Sequence, residues 1–196
     1  MSITDTNLIY VSGKASVGKS VISEHMAKDI NFKLISLDEL IRDDFDGNYR
    51  LYQTPTNNPN DLVNRWEFVT KIRQIILEYK DCVIEGTIKD NELIKEIFHG
   101  YHFIFCYIEP LDEKSYFRNM SKRFEQDPTN YGRIGFLKIM DTNEFKGEGL
   151  NDFISNGIDG TIIQEIIKRC SITQFKKVTD LRNQYSNDFK IVRMLN

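Results

Sequence analysis

Short runs of unbroken apolar residues alternate along this chain with stretches in which apolar positions recur every three or four residues. The first kind covers Asn7–Ser12 (NLIYVS), Lys33–Leu37 (KLISL), Asp81–Glu85 (DCVIE), His102–Ile108 (HFIFCYI) and Phe189–Met194 (FKIVRM), and each predicts a strand. The second kind predicts helices over Lys19–Ile30, a short segment ending at Asp43, Asp61–Tyr79, Asn91–Phe98 and Asp112–Glu125. Within Asp61–Tyr79 the apolar positions Leu62, Val63, Trp66, Val69, Ile72 and Ile76 form a helical stripe, which predicts core packing for Trp66. Gly47–Asn60 is polar and carries Pro55 and Pro59, the composition of a loop. Strands that are continuously apolar rather than alternating belong to a parallel sheet covered on both faces. Right-handed crossovers then bring every strand C-terminus to one edge, where ligands bind. The least legible stretch is Thr129–Asn187, with four glycines between Gly147 and Gly160 and a helical pattern from Thr161 to Arg169.

Length and charge narrow the picture. At 196 residues, 40% of them hydrophobic, the chain is expected to form a single domain over 1–196, with a lid region at about 112–135 and an elaboration at about 136–187. A formal charge of -3 excludes a wholly basic nucleic-acid-binding molecule but leaves room for a local basic groove. No run approaches the roughly 18 apolar residues of a membrane span, and the first residues lack the pattern of a secretory leader. Cys82, Cys106 and Cys170 are widely spaced and odd in number, which fits free thiols in a reducing cytoplasmic setting. His25, His99 and His102 show no metal-ligand spacing.

The chemistry-bearing motif is Gly13-Lys14-Ala15-Ser16-Val17-Gly18-Lys19-Ser20, which fits G-x-x-x-x-G-K-[ST] at every fixed position. It stands between an apolar strand and a helical pattern, the context in which such a loop wraps a polyphosphate with its main-chain N–H groups. Outside that context the same residues would read as an ordinary glycine turn. The expected nucleotide-binding set is Gly13, Ala15, Ser16, Val17, Gly18, Lys19, Ser20 and Val21. Lys19 is expected on the β- and γ-phosphates of ATP and Ser20 on Mg²⁺.

Other residues select among loop-bearing proteins. No N-K-x-D guanine-reading motif and no LSGGQ-like signature occurs, and the D-x-x-G match at Asp44–Gly47 lies away from a strand end. Asp38 directly follows the second strand, in position to orient an acceptor hydroxyl or take its proton, or simply to cap the helix that begins there. Arg42, one turn on, is placed to hold an anionic acceptor. Glu85 and Gly86 end the third strand, Glu85 beside the metal's water shell or the acceptor and Gly86 where a ligand comes close. Past the fourth strand, Arg118, Lys122 and Arg123, with Arg133 further on, offer cations that could close over a transferring phosphoryl group. Of these, Arg118 and Arg123 join Lys19 and Asp38 as the expected catalytic set.

GKASVGKS, Asp38 within LISLDELIR, VIEG and the arginines after HFIFCYIEP together resemble the nucleoside-monophosphate-kinase-like group of P-loop kinases over roughly the first two-thirds of the chain. LISLDELIR is also similar to the acceptor segment of polynucleotide-kinase-like and zeta-toxin-like enzymes, a likeness that implies a base role for Asp38 and acceptor binding for Arg42. The resemblance implies a P-loop NTPase three-layer sandwich, with a parallel five-stranded sheet of order 2-3-1-4-5, a helical lid, and ATP with Mg²⁺ as donor. The chain runs no further than the fifth strand, so the loop that contacts adenine in that group is expected to be missing or moved. The expected acceptor is a nucleoside, nucleotide or similar small molecule. Nucleic acid, met at a strand end or a hydroxylated base with Tyr49, Tyr52 and Trp66 available to stack, is the alternative. A nucleotide-gated binding module without transfer is the second alternative. No membrane partner is expected.

Overall fold

The computed structural model describes residues 6–48, 59–126 and 175–196. In chain order these form β1 (Asn7–Gly13), α1 (Lys19–Asp29), β2 (Lys33–Ser36), α2 (Leu37–Asp44), α3 (Pro59–Tyr79), β3 (Asp81–Glu85), α4 (Asn91–Ile97), β4 (Phe103–Glu109), α5 (Glu113–Gln126), α6 (175–186) and β5 (Ile191–Leu195). The chain divides into two compact units, one of Met1–Glu109 with Asp180–Asn196 and one of Pro110–Thr179. All five strands belong to the first unit. The expected lid and all but the last residues of the expected elaboration fall in the second, and most of them lie outside the described residues.

The strands form a five-stranded sheet of order β2-β3-β1-β4-β5, parallel at every pairing. This is the flanked parallel sheet of P-loop NTPases that the sequence pattern and the resemblance imply. Its centre is as apolar as the unbroken runs require: Tyr10, Val11, Val83, Ile84, Tyr107 and Ile108 are all inaccessible to solvent. Burial also pushes the Cys82 thiol up to about 11 and raises that of Cys106, so both are inert neutral side chains. Among the described residues no helix is long and apolar enough to cross a membrane.

Local signals set the helix boundaries. Ser36 caps α2, its hydroxyl accepting from the Glu39 N–H at 3.4 Å. Asp90 caps α4 by accepting from the Glu92 N–H at 3.0 Å. Helix α3 departs from the expected stripe. Phe68, Val69, Ile72 and Ile76 are buried, whereas Trp66 is 67% exposed, and Leu62 and Val63 are exposed with it. The inward position near the start of α3 belongs to Arg65, whose guanidinium meets the Asp90 carboxylate at 2.7 Å. A charged residue thus occupies the inner face, and the tryptophan one position on is turned outward. Further along α3, Arg73 donates to the carbonyls of Glu96, Ile97 and His99, at and just past the end of α4. In the second unit, Tyr116 and Met120 of α5 are buried, and the Tyr116 ring lies 6.1 Å from that of Phe175.

Candidate functional site

The phosphate loop begins where β1 runs out. Gly13 registers with Ile108 of β4, and a Cβ at Gly13 would stand 2.6 Å from the Ile108 carbonyl oxygen and 2.9 Å from a Val17 methyl. No L-residue side chain fits there. Val17 is fully buried beneath the loop, which anchors the loop's middle to the core. Positive φ at Ser16 (66°) and Gly18 (86°) bends the main chain into the concave path in which successive N–H groups converge on an anion. Helix α1 starts at Lys19 with no acidic residue in its own first turn, so its positive end is aimed at the loop. Ala15 is half-buried, while Ser20 and Val21 are exposed at the head of the helix.

The Lys19 ammonium donates to the Lys14 carbonyl at 3.3 Å and lies 3.9 Å from a Glu85 carboxylate oxygen. Both side chains are withdrawn from water. Glu85 reaches this position because Val11 and Ser36 are its register partners on the two neighbouring strands. Ser36, besides capping α2, donates to Glu85 at 3.5 Å, and Ser20 also hydrogen-bonds the carboxylate. Burial raises the Glu85 proton affinity, Lys19 opposes that rise and the nearby Asp38 charge adds to it. Lys19, Ser20, Ser36, Asp38 and Glu85 therefore form one electrostatic cluster at the C-terminal edge of β1, β2 and β3. Such a cluster can bind a polyphosphate on one side and carry a carboxylate toward an acceptor on the other.

Other candidates stand differently. Asp38 is exposed on the first turn of α2, and the cap of that helix is Ser36. Arg42 is exposed and pairs with Asp43 at 2.9 Å. The face of Gly86 from which a Cβ would project is filled by Leu37, whose Cβ and Cδ1 would lie 2.8 Å from it. Gly86 thus admits a close helix–strand contact that sets α2, and Asp38 with it, against the end of β3. Arg118 is exposed on α5 in the second unit. The Arg123 side chain, Arg133, Tyr49 and Tyr52 lie outside the described residues.

Several residues around the loop carried no local sequence signal. Thr87 donates to the Gly13 carbonyl at 2.6 Å, tying the turn after β3 to the loop. That turn is fixed from beneath: Tyr10 donates to the Gly86 carbonyl at 3.0 Å and accepts from the Ile88 N–H at 3.1 Å, and Tyr185 of α6 donates to the Ile88 carbonyl. Burial holds both phenols neutral by raising their proton affinity. At the end of β4, the buried Glu109 carboxylate takes Arg182 at 3.0 Å and Arg193 at 2.6 Å. Asn196 donates from its side chain to the Val17 carbonyl at 2.9 Å. These partners come from the far end of the sequence, and only strand order brings them to the loop.

No family model and no curated protein matches this chain. Solved structures do. The full-length tRNA isopentenylpyrophosphate transferase from Bacillus halodurans is similar with a TM-score of 0.52 and 12% identity, over 98% of this chain and 90% of that one. A eukaryotic dimethylallyltransferase acting on tRNA gives a TM-score of 0.50 and 10% identity, over 96% of this chain and 74% of that one. A gluconokinase from Sinorhizobium meliloti gives 0.41 and 15%, over 95% and 99%. At such identities the likeness to the two transferases speaks for the fold alone: the chain has the P-loop NTPase architecture.

Proposed function

We propose that this chain is an ATP-dependent kinase that transfers the γ-phosphoryl group to a hydroxyl or phosphate on a small acceptor such as a nucleoside or nucleotide. The observation that carries this is the cluster in which the loop's lysine, Lys19, shares a desolvated position with Glu85, 3.9 Å away, beside Asp38. Glu85 would serve a metal's water shell with or without transfer, so it is the second carboxylate, Asp38, that favours an acceptor.

The positive φ at Ser16 and Gly18 and the head of α1, with no acidic residue in its own first turn, fit a triphosphate. In this account the amides of Gly13 to Ser20 hold it and Lys19 neutralises the β- and γ-oxygens. Mg²⁺, held by the Ser20 hydroxyl with Glu85 on its water shell, would neutralise charge on the phosphate oxygens. Asp38 orients the acceptor hydroxyl and takes its proton as the acceptor oxygen bonds to the γ-phosphorus and the bridging oxygen leaves with the diphosphate. Arg42 serves an anionic acceptor. Arg118 and Arg123 are the proposed closing cations.

The test is a screen with ATP labelled at the γ-phosphate against nucleosides, nucleotides, sugars and single- and double-stranded DNA, run on the wild type and Lys19→Ala. Transfer to one small-molecule class, abolished in Lys19→Ala while its folding is intact, is the expected result. Activity unchanged in Lys19→Ala sinks the proposal. Tight ATP binding with no transfer to any acceptor leaves a nucleotide-gated binding module.

A nucleic-acid acceptor is favoured by one observation, the outward-turned Trp66 with Leu62 and Val63 beside it. An exposed tryptophan suits base stacking. The two transferases of similar fold act on tRNA by their names. Labelling of an oligonucleotide in preference to its nucleosides, with binding that weakens steeply as salt rises, would select this acceptor.

A further inference from the structure

Asn196 follows β5 and lies against the phosphate loop at two consecutive residues. Its side-chain Nδ2 donates to the Val17 carbonyl at 2.9 Å. The same nitrogen stands 2.3 Å from where a Cβ of Gly18 would be, and Asn196 Cγ stands 3.5 Å from it. Its main-chain N–H donates to the Glu109 carbonyl at 2.9 Å, one step past the Glu109–Leu195 pair of the β4–β5 ladder. Glu109 is itself gripped by Arg182 and Arg193. The amide is therefore presented to the loop from an anchored strand end.

The Val17 carbonyl and the Gly18 N–H belong to one peptide plane, and in a planar trans peptide they point in opposite directions. Whatever fixes the carbonyl fixes the N–H. We propose that Asn196 is a positioning residue for the phosphate loop: by holding the Val17 carbonyl it keeps the Gly18 N–H turned the other way, as a preorganised donor to a bound polyphosphate. Glycine at 18 permits both the left-handed backbone, φ 86°, and the close approach of this amide. The proposal rests on reading 13–20 as a polyphosphate site and adds a residue from outside that motif.

The experiment uses the full chain. Binding of Mg-ATP, and separately of inorganic pyrophosphate with Mg²⁺, is measured calorimetrically for wild type, Asn196→Ala and Asn196→Asp, with thermal unfolding alongside. Asn196→Ala is expected to weaken both ligands about 3- to 10-fold, the scale of one hydrogen bond lost. Asn196→Asp is expected to weaken them further, because its carboxylate faces the Val17 carbonyl with no proton to donate. Asn196 is exposed, so unfolding temperatures should hardly move. Gly18→Ala supplies a second readout: part of its loss comes from collision with Asn196, so it should weaken binding less in the Asn196→Ala background than in wild type. Wild-type affinity in both Asn196 variants, or fully additive losses with Gly18→Ala, overturns the clamp while leaving the polyphosphate site standing. Failure of the wild type to bind either probe overturns the polyphosphate site and the clamp together.

Discussion

Lys19 and Glu85 face each other at 3.9 Å, the cation rising from the head of α1 and the carboxylate from the end of β3. The separation is longer than a direct hydrogen bond, and the lysine donates to the Lys14 carbonyl at 3.3 Å. Glu85 is thus a buried carboxylate with a charge partner that offsets only part of its desolvation.

The consequence is a pH dependence of stability. Burial raises the Glu85 pKa above its ordinary value of 4.5, so the folded protein binds this proton more tightly than the unfolded chain does. Stability contributed by the protonated form is full below about 4.5 and is lost as pH rises toward the raised folded value. Glu85→Gln lacks this loss. Denaturant unfolding of both proteins across that range should show the variant gaining on wild type as pH rises; a constant difference would show that Glu85 titrates normally.

The cap of α2 is Ser36 and not Asp38, which leaves Asp38 open to the proposed base role. Since Ser36 caps α2, removing its hydroxyl by Ser36→Ala should cost about 1 kcal/mol of stability. Asp38→Asn should leave stability nearly unchanged and lower turnover by at least about 10²-fold, the usual contribution of a general base. Equilibrium unfolding and steady-state rates on the same two variants separate these roles. A loss below about threefold in Asp38→Asn would remove it from proton transfer.

The parts of the fold and site governed by local rules were legible. Five apolar runs gave five parallel strands because burial on both faces needs no alternation. The loop of residues 13–20 stands between β1 and α1 as expected, because glycine spacing and a following helix are local requirements. What escaped depended on distance along the chain. Trp66 looked like core because it stands three residues before Val69, but the buried face runs through Phe68, Ile72 and Ile76 to Arg65, which pairs there with Asp90 from a distant part of the chain. At Gly86 the room left by the missing Cβ is taken by Leu37, a partner that no local pattern pointed to. Tyr185, Glu109 and Asn196 acquire meaning only after β4 and β5 are laid beside β1.

The Leu37–Gly86 contact makes a kinetic prediction. In Gly86→Ala the new methyl would lie 2.8 Å from Leu37 Cβ, an atom that cannot move without shifting the start of α2. The displacement is expected to fall chiefly on the start of α2, and so on Asp38, because the loop is also held by β1 and Val17. Overpacking of this kind costs about 1–3 kcal/mol. Turnover should fall while ATP affinity stays close to wild type. A variant in which ATP affinity falls and turnover at saturation does not would mean that residue 86 acts on the donor side.

Arg65 and Asp90 give the sharpest test of what holds α3 in place. Both side chains are more than nine-tenths buried, and they meet at 2.7 Å. Arg65 also approaches Glu96 at 3.6 Å, while Asp90 caps α4. Arg65→Leu keeps apolar volume but leaves the Asp90 carboxylate buried without its cation, which should destabilise the protein by about 3–5 kcal/mol. Asp90→Asn keeps a cap-competent oxygen but strands the guanidinium, so it should also be costly. Joining the two substitutions removes both charges, and the double variant should be less destabilised than the sum of the singles. A denaturant-unfolding cycle on the four proteins checks this, and simple additivity would mean that Arg65 holds α3 through packing of its methylene stem rather than through the ion pair.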